Sequence, residues 1–179
     1  RHKHFYKDMN CFKQTSILNP VWNITFDIPK PGPVLYERHY TNVDEIVPQD
    51  LLEKLKSIDM VPEYVRLFVW PVNACGIWHI DGTATTFRNS AINWVIKGSG
   101  LIQFNQNINL GFINGVYRGK LSTLNDPVEE ETLGNGCIIN TKYCHRVVTG
   151  PDGRNTISLG WKDKDIPFLE LVNRIGNEL

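Results

Sequence analysis

A chain of 179 residues is long enough to bury a core without disulfide or metal staples. Hydrophobic residues make up 41% and charged residues 21%, and 19 Lys+Arg balance 19 Asp+Glu, which argues against a disordered chain and against nucleic acid as an electrostatic partner. No apolar run reaches the length of a membrane helix and the start Arg1-His2-Lys3-His4 lacks the apolar segment of a signal peptide, so a soluble, cytoplasmic protein without a membrane partner is expected.

Residues up to about Pro33 mix aromatics with Pro and Gly without a period and predict an irregular or edge-strand segment packed on the rest. The best helix signal runs from Val47 to Ile58: Pro48 suits the first turn, acids follow it, and Leu51, Leu55 and Ile58 recur on one face. After Pro62 come short runs rich in Val, Ile, Phe, Trp and Thr, namely 64–72, 76–80, 88–97, 101–105, 136–140, 145–149 and 154–161. Such a series is the signature of an all-β sandwich or barrel. Two Gly-rich stretches, Lys97-Gly98-Ser99-Gly100 and Gly150-Pro151-Asp152-Gly153, read as turns between strands. Residues 105–133 read as loop, with Glu129-Glu130-Glu131 as solvated surface. The expected layout is one unit: irregular and helical support over 1–62, a β core over 63–161, and a tail or helix over 162–179.

Four cysteines (Cys11, Cys75, Cys137, Cys144) without a Cys-x-x-Cys spacing predict reduced thiols rather than a disulfide framework. Of the five histidines, His2, His4 and His39 have no companion carboxylate placed by a readable element. His79 and Asp81 differ: one residue apart on an extended segment, their side chains leave the same face and can share one ion. Plainer readings are a hairpin turn at Asp81-Gly82 and a hydrogen-bonded core histidine.

His145 opens the run to Thr149, and the following turn predicts a hairpin with Arg154 to Trp161. If Thr149 pairs with Arg154, one face carries His145, Val147, Thr149, Arg154, Thr156 and Ser158, and His145 and Arg154 lie four strand positions apart, roughly 13 Å. A slip of one residue would destroy that alignment. A long arginine leaning back leaves a gap suited to a short dicarboxylate, one end on a metal at His145 and the far carboxylate paired with Arg154. Two His and one carboxylate leave three adjacent positions open on an octahedral ion, the arrangement of non-haem iron(II) oxygenases. Zinc is the alternative metal, because Cys75 and Cys144 lie near His79 and His145 in sequence.

These residues resemble the iron(II)/2-oxoglutarate-dependent dioxygenases, whose pattern is His-x-Asp, a distal His, and a basic residue about ten positions later: here His79-Ile80-Asp81, His145 and Arg154. The run Arg66-Leu67-Phe68-Val69-Trp70-Pro71 leading through Gly76-Ile77-Trp78 into His79 looks like the aspartyl/asparaginyl β-hydroxylase-type branch, as does Arg88, nine residues after His79. The resemblance covers about 66–161 and implies a double-stranded β-helix, or cupin-like jelly roll, with iron at its open mouth and a few buttressing helices. It implies iron(II), 2-oxoglutarate as co-substrate, dioxygen, and hydroxylation of an amino-acid, peptidyl or other small polar substrate. Arg154 would hold the far carboxylate of 2-oxoglutarate and Arg88 would be a further contact to it. Ser90, Asn93 and Trp94 are candidates to line the pocket, or else ordinary strand positions. The competing functions are a cupin-like metal enzyme without 2-oxoglutarate and a non-catalytic jelly-roll binding module.

Overall fold

The computed structural model describes residues 11–14, 20–82, 88–105, 108, 110–119, 129–134, 136–162 and 166–178. His2, His4, much of the expected irregular N-terminal stretch and residues 120–128 of the expected loop lie outside the described residues. In chain order the elements are β1 (Phe12–Gln14), β2 (Tyr36–Tyr40), α1 (Val43–Ile46), α2 (Gln49–Ser57), β3 (Pro62–Trp70), β4 (Ala91–Phe104), β5 (Leu110–Ile113), β6 (Val116–Gly119), β7 (Glu129–Thr132), β8 (Cys137–Ile139), β9 (His145–Trp161) and α3 (Phe168–Glu178).

The fold is mainly β, an antiparallel jelly roll with a few helices outside. One sheet runs β1-β8-β4-β9-β3-β2. The other grows from the remaining ends of the two longest strands, because Gly100–Phe104 of β4 pairs with His145–Thr149 of β9 and, on its other edge, with β7. The segment around His79 extends this second layer, bridging His145 on one side and Arg118 of β6 on the other. β4 and β9 thus belong to both layers.

Here the structure corrects the expected hairpin. Thr149 and Arg154 do not face each other; they pair with Gly100 and Gly98 of β4, successive rungs of one continuous strand. Both Gly-rich stretches are bulges where the paired strands bend from one layer to the other, and they sit against each other. Gly98 has φ +80° and a Cβ there would lie 2.1 Å from the Gly153 carbonyl oxygen, so neither the angle nor the space admits a side chain.

The expected 105–133 loop also contains structure: β5 and β6 form a hairpin about Asn114 and Gly115, both at positive φ, and β7 carries the three glutamates as a strand. Asn-Gly between alternating residues is a strong hairpin signal. The predicted helix is present as α2, with Pro48 at its N-cap, Asp50 in the first turn and Lys54 and Lys56 in the last, matching the helix dipole.

β3 shows how the layers divide the chain. Val65, Leu67 and Val69 are buried with Leu51, Leu52 and Leu55 of α2, Ile157 and Leu159 of β9 and Leu171 and Ile175 of α3. The alternate residues Tyr64, Arg66, Phe68 and Trp70 face the concave interior and line a pocket. Burying each large aliphatic side chain on the helical side is worth about 1.5–3 kcal/mol; the opposite side is left for chemistry. Among the described residues no helix is long and apolar enough to cross a membrane.

Candidate metal centre and its two cavities

His79, Asp81 and His145 offer ligand atoms that all lie within 4.8 Å of one another. The backbone brings them together: His79 N–H donates to the His145 carbonyl at 3.0 Å and His145 N–H to the His79 carbonyl at 2.9 Å, a cross-strand pair with both side chains on one face. Asp81 is fixed two residues on by its own N–H, which donates to the Thr141 carbonyl at 3.1 Å.

The rings are oriented by a repeated device. Each Nδ1 lies against the carbonyl two residues earlier, Ile77 at 2.9 Å for His79 and Tyr143 at 2.8 Å for His145. A carbonyl only accepts, so both Nδ1 atoms carry hydrogen and both Nε2 lone pairs are free for a cation. Both Nε2 atoms lie 3.5 Å from Asp81 Oδ1. Burial pushes the Asp81 carboxyl up, but hydrogen bonds and charge from His145 and His79 outweigh it and hold the group well below the usual carboxylate range. A divalent cation among these groups would take the place of any proton on Nε2.

The cysteines do not join this set. Among the described residues all four are free thiols; Cys144 packs with Trp78 and Ile108, and burial pushes its thiol up to about 12. Cys75 is exposed. The two-nitrogen, one-oxygen set with open positions is therefore not a thiolate zinc site, and it matches the donor set that non-haem iron(II) takes.

Two cavities meet at the triad. An inner one of about 70 Å³ is lined by His145, Arg154, Asn93, Thr156, Ser158 and Thr141 among others, and an outer one of about 500 Å³ opens between β3, β6 and the His79 segment. Phe68, Trp70, His79, Asp81 and Arg88 line both. In the inner cavity Arg154 is 2% exposed, its guanidinium carbon lies 5.8 Å from the centre of the Trp70 ring, and its Nε and Nη1 have no hydrogen-bond partner among the described residues. Thr156 Oγ1 and Asn93 Oδ1 beside it are likewise buried and unpartnered. Burial pulls the guanidinium down to about 9, which still leaves a cation at neutral pH.

The other expected pocket residues divide. Arg88 reaches the boundary, where its Nη2 donates to Ser158 Oγ at 3.0 Å and to the Leu159 carbonyl at 2.8 Å while Nη1 lies 3.9 Å from Asp81 Oδ2. Ser90 and Trp94 do not line either cavity: Ser90 Oγ donates to the Ile166 carbonyl at 2.7 Å, and Trp94 lies in the helix-facing core, edge-on to Trp22. Strand alternation is the reason, since Ala91 and Asn93 point inward and their neighbours outward. Thr141 and Arg118 went unread; Asn114-Gly115 was the signal for Arg118, while Thr141, in a short turn, offers none.

No family model matches the chain, and no curated protein matches it. Among solved structures it is similar to vicilin from Corylus avellana (hazelnut), at 11% identity and TM-score 0.38 over 75% of this chain; it spans 31% of that one. It is also similar to AviO1 from Streptomyces viridochromogenes Tue57, at 17% identity and TM-score 0.43 over 87% of this chain and 77% of that one. Neither likeness bears on the chemistry; the fold rests on the strand pairing itself.

Proposed function

We propose that this chain is a non-haem iron(II) dioxygenase that couples conversion of 2-oxoglutarate to succinate and carbon dioxide with hydroxylation of an amino-acid, peptidyl or other small polar substrate. The observation that carries this reading is Arg154, a buried cation with two unpartnered N–H donors in the cavity that His145, His79 and Asp81 also line. An uncompensated buried charge costs several kcal/mol, and a carboxylate is the group that relieves it. A dicarboxylate with its 2-oxo acid end at the triad would set its far carboxylate on Arg154.

In this reading His79, His145 and Asp81 would hold iron(II). The iron, when bound, supplies a redox-active Lewis acid at which dioxygen is activated as 2-oxoglutarate is decarboxylated. Arg154 would anchor and orient the co-substrate, Thr156 Oγ1, buried in the same cavity, would be a further donor to that carboxylate, and Phe68 and Trp70 would keep water from its methylenes. A cupin-like metal protein that does not use 2-oxoglutarate would share the triad, yet it has no use for Arg154.

Anaerobic titration of the iron(II)-loaded protein with 2-oxoglutarate tests the reading. A weak visible charge-transfer absorption should appear and saturate with the co-substrate; its absence in protein shown to hold iron would overturn the assignment.

A further inference from the structure

The outer pocket holds a charge that the metal site does not use. Its walls carry three arginines, Arg66, Arg88 and Arg118, against the carboxylates Glu37 and Asp81. Glu37 is already taken: Arg66 Nε donates to its Oε1 at 3.1 Å, and His39 Nε2 lies 3.0 Å from the same oxygen. Asp81 faces both metal-site histidines and Arg88. Arg118 alone of the three has no carboxylate within ion-pair distance among the described residues.

The backbone fixes where that charge points. Arg118 is the antiparallel bridge partner of His79, flanked by Gly119 N–H donating to the Trp78 carbonyl at 2.7 Å and Ile80 N–H donating to the Tyr117 carbonyl at 3.3 Å. Directly opposed residues of an antiparallel pair send their side chains to one face, with Cβ atoms about 4.5–5.5 Å apart. Arg118 therefore emerges beside His79, and Val116, two residues back, emerges on the same face abreast of Asp81. Both line the outer pocket and neither lines the inner cavity. Around them the walls are apolar: Ile77, Ile80, Phe68 and Trp70. A volume of about 500 Å³ suits a small molecule.

We propose that the primary substrate is a small carboxylic acid with an apolar body, its carboxylate held by Arg118 and its apolar part laid between Ile77, Val116 and Phe68 beside the metal ligands. The acid is a monoanion, because one cation is spare. Arg118 and Arg154 are then anion anchors on opposite sides of the triad, one for substrate and one for co-substrate. Only the word substrate rests on the oxygenase reading; the anion site stands on the pocket itself.

The test is anaerobic calorimetry on the iron(II)-loaded protein in the presence of 2-oxoglutarate, titrating N-acetyl-leucine, 3-phenylpropionate and octanoate against their uncharged amides. At least one acid should bind at least tenfold more tightly than its amide. Arg118→Met should level the pair, and Arg118→Lys, which keeps the charge without the planar fork, should retain part of the preference. Absence of binding by every acid, or no preference for an acid over its amide, overturns the proposal. So does a preference that survives Arg118→Met and disappears in Arg154→Met, since the acid then occupies the inner cavity. A missing charge-transfer absorption beside an acid preference that tracks Arg118 would remove the oxygenase reading and leave the anion site standing.

Discussion

On the inner side of the triad Arg154 is almost wholly buried and two of its nitrogens meet no acceptor, whereas Arg88, at the boundary with the outer pocket, has its nitrogens committed to Ser158, the Leu159 carbonyl and Asp81. The same side chain in adjoining regions of one cavity thus does two jobs. A satisfied guanidinium holds the protein's own groups in place, while an unsatisfied one marks where a ligand's charge belongs. The resemblance implied a co-substrate contact for Arg88. Its partners instead suit it to clamp Asp81 Oδ2, leaving Oδ1 toward the histidines, and Thr141 supports the clamp by accepting from Asp81 N–H and donating through Oγ1 to the Arg88 carbonyl.

The contrast can be broken at its centre first. His79→Ala or His145→Ala deletes one of three protein ligands and should abolish iron retention; metal analysis after anaerobic reconstitution showing full occupancy would refute the triad. Next in size, Arg154→Met should weaken 2-oxoglutarate binding by roughly tenfold to a thousandfold, about 1.4–4 kcal/mol, with iron still bound. Arg154→Lys should recover only part, for lack of the planar fork. The same Arg154→Met change removes an uncompensated buried charge, so ligand-free protein should gain stability on the order of 1 kcal/mol, read from the urea midpoint. Unchanged co-substrate affinity would end the assignment of Arg154.

Arg88→Met should behave in the opposite sense. Losing the group that orients a metal-binding carboxylate typically lowers metal affinity about 10–100-fold. Once metal is loaded, the 2-oxoglutarate titration should match wild type; a large co-substrate defect would restore the contact the resemblance implied.

The smallest effect belongs to Glu37 at the pocket rim. Burial raises its carboxyl, but hydrogen bonds and charge from Arg66 and His39 prevail and hold it below its usual range. A depressed carboxyl stabilises the folded state above its unfolded pKa, roughly 4.3, and that contribution is lost as pH falls through the folded value. Glu37→Gln should therefore cost no more than about 1 kcal/mol at pH 7, and the difference from wild type should vanish in strong acid. A gap that persists at pH 2 would assign the effect to packing instead.

Much of the β core is legible because the stretches that form β3, β4 and β9 are rich in Val, Ile, Phe, Trp and Thr and are separated by Gly, Asn and Pro, and the His-x-Asp spacing is legible because an extended segment repeats every two residues. The bends were not. Gly98 and Gly153 need positive φ in a bulge as they would in a turn, and only the pairing partner, distant in sequence, tells the two apart. Arg154 was placed on the metal-bearing face by way of a hairpin that does not exist; the continuous strand keeps it in the same cavity as His145 because the bulge restores the inward phase. Asn93 and Trp94 are adjacent positions of one strand and cannot share a face, so at most one of them lines the cavity.

The sharing of β4 and β9 between both layers also sets the order in which the molecule assembles. Their pairing joins segments separated by everything from β5 to β8, so a large loop must close before His145 reaches His79. Non-local closure of this kind is slow, and the metal-binding group comes into being only at its end. A metal ion held by the triad would then act as a latch on a chain already folded: it should slow unfolding and leave the refolding rate as it is in the presence of a chelator.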